Sequence, residues 1–154
     1  MGKFLSLDEV KKHLDTDRAH GPIVFTNGCF DLLHVGHVRY LQNAKALGYK
    51  LVVAVNSDAS VSRLKGPKRP VQNENDRAEI LAALGCVDYT FIFVEDTPLK
   101  VIHEISPNIL VKGGDWAVKD IVGSEFVLAQ GGKVLSLPFV EGRSTTQIIS
   151  KANS

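Results

Sequence analysis

Apolar runs of strand length recur along the chain, and nearly every one is followed by a stretch whose apolar residues return at helical spacing. PIVFTN leads through a glycine-containing turn into HVRYLQNAKALG, where Val38, Leu41, Ala44 and Leu47 share a face and Gly48 supplies a stop. KLVVAVNSD follows after a very short connection and is apolar on both faces, as a parallel strand covered on both sides by helices must be. Strand, helix and strand joined so tightly form a βαβ unit.

The same alternation continues. SLDEVKKHL, with Ser6 and Glu9 in a capping-box arrangement, predicts a short N-terminal helix over 6–14. ASVSRLKGPKRPVQN, basic and broken by two prolines and a glycine, reads as a mobile surface loop. NENDRAEILAALG predicts a helix with asparagine caps and Gly85 at its end; YTFIFVED is rich in aromatic and β-branched residues and predicts a strand. TPLKVIHEIS carries Pro98 early in a helix, with Asp96 and Thr97 as cap candidates. ILVKGGD, GSEFVLAQGG, KVLSLPF and STTQIISKA then read as strand, helix, strand and helix. The expectation is an α/β, Rossmann-like open parallel sheet of about five strands with helices on both faces. No repeat or linker divides it, so residues 1–154 are expected to form a single domain with a core over about 22–152.

Eighteen Lys and Arg against seventeen Asp and Glu leave a net charge of +1, so no global field favours nucleic acid or an anionic membrane. Anion binding, if present, must be local. Cys29 and Cys86 belong to no CxxC pair, and no apolar run approaches the roughly 18 residues of a membrane span. A reduced, soluble, cytoplasmic protein is the simplest expectation.

CFDLLHVGH places His34 and His37 three residues apart at the predicted strand-to-helix crossover, so the two rings share a face. Unpaired N–H groups and the positive end of the helix dipole attract a phosphate there, and Gly28 and Gly36 permit close backbone approach. A histidine in that place donates an N–H to a phosphoryl oxygen, more strongly when protonated. Either histidine alone also fits a surface role. Zinc would need three or four ligands, and no third Cys or His has a fitting spacing. The glycine pattern is neither the Walker loop nor GxGxxG.

TNGCFDLLHVGH resembles the T-x-G-x-F-D-x-x-H-x-G-H signature of the cytidylyltransferase-like nucleotidyltransferases. That resemblance implies that His34 and His37 contact the triphosphate and stabilise transition-state charge, and that Thr26, Asn27, Gly28, Cys29 and Phe30 line the nucleotide. FVEGRSTTQII is similar to the family's second signature, R-T-x-G-I-S-T-T, at Gly142, Ser144, Thr145 and Thr146. Phe139 stands where that pattern has arginine, and Arg143 where it has isoleucine; a guanidinium at 143 still suits phosphate oxygens. Lys65 and Lys68 of the basic loop are candidates to close over the β and γ phosphates, and the family's loop lysine favours Lys65. Lys45, two turns beyond His37, is expected to face solvent or another subunit.

VKGGDW sits at the ligand edge of a predicted strand, where Asp115, and Asp31 from the first crossover, can accept hydrogen bonds from sugar hydroxyls. With Asn56, Lys112, Gly113 and Trp116 they form the candidate sugar-phosphate site. From Pro22 to Ala152 the chain is most similar to the branch of the family that adenylylates D-glycero-β-D-manno-heptose 1-phosphate for lipopolysaccharide core assembly. The resemblance implies ATP and the heptose phosphate as substrates, Mg²⁺ accompanying ATP with no protein ligand assigned, and a dimer or higher homo-oligomer; with no kinase-sized region in these 154 residues, the stand-alone form is expected. Glycerol-3-phosphate cytidylyltransferase chemistry shares CFDLLHVGH and is the alternative; a nucleotide-binding module without turnover is the alternative of another class.

Overall fold

A computed structural model describes residues 1–138 and 142–154. Six strands, β1 (Lys3–Phe4), β2 (Ile23–Gly28), β3 (Lys50–Asn56), β4 (Tyr89–Phe93), β5 (Ile109–Gly113) and β6 (Lys133–Leu137), form one sheet. All neighbours are parallel, in the order β1-β4-β3-β2-β5-β6. The helices are α1 (Leu7–Asp17), α2 (Val35–Lys45), α3 (Asp58–Lys65), α4 (Glu74–Ala83), α5 (Leu99–Ile105), α6 (Ser124–Ala129) and α7 (Thr145–Ala152).

Side-chain alternation sorts the core into two layers. Ile23 and Phe25 of β2, Val52 and Ala54 of β3 and Phe91 of β4 pack with α1, α5 and α6 through Val10, Leu14, Ile102 and Val127. Val24, Leu51, Val53 and Val55 point the other way, onto Tyr40, Leu41 and Ala44 of α2 and Ala78 and Leu81 of α4. Strand order reverses at β2, which pairs with β3 on one side and β5 on the other. The crossovers after β2 and β5 therefore part at the C-terminal edge and leave a crevice.

Four expectations are corrected. The sheet has six strands, because Lys3 and Phe4 pair with Tyr89 and Thr90; two residues are too few to show a period. The N-terminal helix runs to Asp17, with the Ser6–Glu9 capping box in place. The basic stretch begins as helix α3, because Ser57 caps it by accepting the Ser60 N–H at 3.2 Å and Val61 is buried. The breakers lie downstream, where Gly66 takes φ +100° before Pro67. Lys45 bonds Asp88 at 2.5 Å and the Tyr49 carbonyl at 2.8 Å.

Smaller details also differ. Gly48 does not end α2 through a left-handed turn; a Cβ there would lie 2.8 Å from the Pro22 carbonyl oxygen, so it serves close packing. Pro98 itself occupies the N-cap of α5 without a side-chain cap bond, and Asp96 is held by Arg63. Asn73 does cap α4, accepting from the Asp76 N–H. No helix among the described residues is long and apolar enough to cross a membrane.

Phe91 is fully buried in the larger layer. Phe91→Ala should lower the unfolding free energy by about 3–5 kcal/mol, read as a drop in the urea midpoint at unchanged m-value; a loss under about 1 kcal/mol would contradict this packing.

Candidate active site

The crevice is a cavity of about 670 Å³ whose walls come from the crossover after β2, the ends of α3 and β5, and the start of α7. His34 is the N-cap of α2, with extended backbone, and its Nδ1 accepts the Gly36 N–H at 3.1 Å. His37 Nδ1 accepts the His34 N–H at 3.3 Å. The two histidines thus form a reciprocal capping box and satisfy two donors around the helix start. Their ring centroids are 3.9 Å apart.

A backbone N–H can only donate, so each Nδ1 is an acceptor and the proton of each neutral ring resides on Nε2. Both rings line the cavity. Burial and the neighbouring His34 ring hold His37 down at about 4, and burial and Arg143 lower His34 from its ordinary 6.5. Protonation would set a new Nδ1–H against the capping N–H, which acts in the same direction. The pair consists of neutral Nε2–H donors at neutral pH, without the added strength that protonation would give.

Glycine is required twice. A Cβ on Gly36 would lie 2.8 Å from the His34 ring, and one on Gly28 would lie 2.9 Å from the Phe30 ring. Phe30 and Leu32 take φ of 51° and 45°, the left-handed region that non-glycine residues avoid.

Most of the predicted residues converge here. Asn27, Gly28, Cys29, Phe30, His34 and His37 line the cavity from the first signature, and Arg143, Ser144, Thr145 and Thr146 from the second. Ser144 caps α7, and the Thr145 hydroxyl donates to the Asp31 carbonyl, clasping the two signatures together. Arg143 is exposed and flanks the histidines, whereas Phe139 lies outside the described residues. Lys65, Asn56, Lys112, Gly113 and Trp116 also line the cavity. Lys112 Nζ stands 4.8 Å from the Trp116 ring centroid, and burial lowers its pKa.

Two residues stand elsewhere than predicted, and a third is in place but otherwise engaged. Thr26 is fully buried, its hydroxyl bonded to the Tyr40 hydroxyl at 2.6 Å, so it anchors α2 to β2 behind the wall. Asp115 is exposed and off the cavity. Asp31 reaches the cavity, but its carboxylate accepts the Val71 N–H at 2.8 Å, the Gln72 N–H at 3.0 Å and Arg69 Nε at 3.1 Å. It is engaged with the loop and not presented to a sugar. Burial opposes its charge, yet those three donors prevail and keep its pKa below the usual carboxylate value.

Sequence reasoning missed Tyr40, Leu64 and Val122 in the wall and Arg77 behind it. Tyr40 lies one helical turn beyond His37, so the i,i+3 face already carried its signal. Arg77 is 1% exposed and bonds the Cys29 carbonyl at 2.7 Å, the Gln72 carbonyl at 2.9 Å and Asp58 at 2.8 Å. Nothing local distinguishes it from a solvated helix arginine.

A parallel sheet reversing at a deep crevice, with a helix start capped by paired histidines, defines a Rossmann-like nucleotide-handling domain. The chain belongs to the cytidylyltransferase-like family, whose model matches residues 25–151. It is 57% identical over 150 residues to the bifunctional protein HldE of Citrifermentans bemidjiense and 56% identical to that of Geobacter metallireducens. Each alignment covers 97% of this chain and 31% of the relative, so the chain spans about a third of those proteins. The lipopolysaccharide core biosynthesis protein from Thermoplasma volcanium superimposes with a TM-score of 0.63 at 29% identity, covering 80% of this chain and 99% of that one. Pantothenate synthetase from Thermus thermophilus shares the fold, with a TM-score of 0.64 at 17% identity over 90% of this chain and 62% of that one.

Because the unfolded chain binds a proton to His37 below pH 6.5 and the folded chain only near pH 4, stability should rise with pH across that window. His37→Gln should flatten this slope relative to wild type in urea titrations between those limits, and equal slopes would contradict the depressed pKa. Gly36→Ala should displace the His34 ring and cost roughly 10²-fold in turnover with little change in far-UV circular dichroism; a crystal structure of the variant with His34 unmoved would refute the contact.

Proposed function

We propose that the chain is an adenylyltransferase converting ATP and D-glycero-β-D-manno-heptose 1-phosphate to ADP-heptose and pyrophosphate, for lipopolysaccharide core biosynthesis. The observation that carries this reading is the pair of neutral imidazoles whose Nδ1 atoms close the start of α2 and leave Nε2–H for the cavity. Donors held in place before substrate arrives need no reorganisation as charge develops.

A phosphate oxygen of the sugar phosphate attacks the α-phosphorus of ATP, the bond from that phosphorus to the bridging oxygen breaks, and pyrophosphate leaves. No covalent enzyme intermediate is required. His34 and His37 donate to phosphoryl oxygens, and the start of α7 with Ser144 to Thr146 faces the same triphosphate. Lys65 and Arg143 add positive charge near the leaving group, and Lys112 beside Trp116 meets the sugar phosphate. Two polyanions repel, so this charge serves to hold them in line.

The acids nearest the cavity are committed: Asp31 to Arg69 and the loop, Asp96 to Arg63. Among the described residues no three His, Cys, Asp or Glu converge on a metal-sized point. That donor set suits Mg²⁺ entering as part of the MgATP substrate, chelated by phosphates and water, where it would neutralise triphosphate charge. The choice of heptose is supported by 57% identity across nearly the whole chain to the HldE protein and by the likeness to the Thermoplasma lipopolysaccharide core protein.

Pyrophosphate release measured with each nucleoside triphosphate and each sugar or polyol phosphate tests the assignment. Turnover is expected with ATP and the heptose phosphate, and turnover confined to CTP and glycerol 3-phosphate would replace it. His34→Ala and His37→Ala should each lose about 10²–10³ in kcat while remaining folded; near-normal rates in both would end the phosphate assignment.

A further inference from the structure

The segment between α3 and α4 is strapped to the crossover after β2. Gln72 Oε1 accepts the Leu32 N–H at 3.2 Å, and the Gln72 N–H donates to Asp31 Oδ1 at 3.0 Å. The Val71 N–H and Arg69 Nε both reach Asp31 Oδ2, and buried Arg77 ties the Gln72 carbonyl to the Cys29 carbonyl. Gln72 is therefore bound to the crossover through its N–H, its carbonyl and its side chain.

The crossover has a physical need for this strap. Phe30 and Leu32 hold φ of 51° and 45° without being glycine. Such conformations persist only where the surroundings over-determine them. The Leu32 N–H lies within the left-handed turn, and Gln72 is its side-chain acceptor. Two residues further on, His34 begins the helix that aims both imidazoles.

We infer that Gln72, acting with Asp31, is a positioning residue for nucleotidyl transfer: it holds Phe30 and Leu32 at their positive φ and so aligns His34 and His37 on the substrate. This inference rests on the adenylyl-transfer reading above. Gln72 does not line the cavity, so it acts through the crossover. Asp31 acts through the loop and not through a sugar hydroxyl.

Gln72→Leu preserves bulk but cannot accept from Leu32, while Gln72→Glu keeps the acceptor. Both variants should fold, since Gln72 is only partly buried. Q72L should lose roughly tenfold or more in kcat with a smaller change in KM for ATP, and Q72E should recover most of that loss. Q72L within about twofold of wild type, or Q72E as slow as Q72L, overturns the inference. Imidazole ¹⁵N shifts give a readout independent of turnover: wild-type His34 should be the Nε2–H tautomer, and Q72L a mixture. An unchanged His34 spectrum in Q72L overturns the positioning role whatever reaction is catalysed, whereas a wild-type protein inactive on ATP and heptose phosphate overturns only the functional reading. If Q72L does not fold, Gln72→Met, similar in length and without the amide oxygen that accepts from Leu32, is read by the same shifts, and an unchanged His34 there is equally decisive.

Discussion

The backbone N–H groups at the start of any α-helix have no carbonyl partner inside it. At α2 that deficit is met by histidine side chains in place of the usual serine, threonine or acidic caps. One consequence is structural: the Nδ1 atoms are consumed by the cap, so the tautomer of each ring is tied to the geometry of the helix start. The other is chemical. The remaining nitrogen of each ring carries the proton and faces the cavity. Gly36 makes the arrangement possible, since any side chain there would collide with the His34 ring.

The remainder of the fold brings other groups to that helix start. Strand reversal at β2 opens the sheet edge, and the Thr145 hydroxyl bridges α7 to the Asp31 carbonyl, bringing a second helix N-terminus to the same cavity. Positive charge is local: the whole chain carries only +1, yet Lys65, Lys112 and Arg143 all line one crevice. The neighbouring acids do not cancel this field freely, because Asp31 and Asp96 are paired with Arg69 and Arg63. A near-neutral chain thus concentrates its positive charge in one crevice without a strong long-range field.

Much of this was legible because it is encoded over short range. The five longer strands, their helices, the Ser6–Glu9 cap and the shared face of the histidines all follow from periods of two or 3.6 residues and from local capping chemistry. Helix α3 was hidden by Gly66, Pro67 and Pro70, whose breaking signals were read across a helix that ends just before them. Strand β1 was hidden by its length: a two-residue strand exists only because β4 offers it an edge.

The sequence by itself determined the alternation of buried strands and amphipathic helices, and it placed two imidazoles together at a glycine-flanked helix start, because those relations span at most a few residues. Only the tertiary structure decided what Asp31 does. It accepts from Arg69, 38 positions away, and its carbonyl accepts from Thr145, 114 positions away. It likewise decided that Thr26 lies behind the wall, that Lys45 pairs with Asp88, and that Arg77 is a buried tie. The partner of a side chain across such separations is set by the path of the chain and the order of the strands, neither of which is written in the neighbours of the residue concerned.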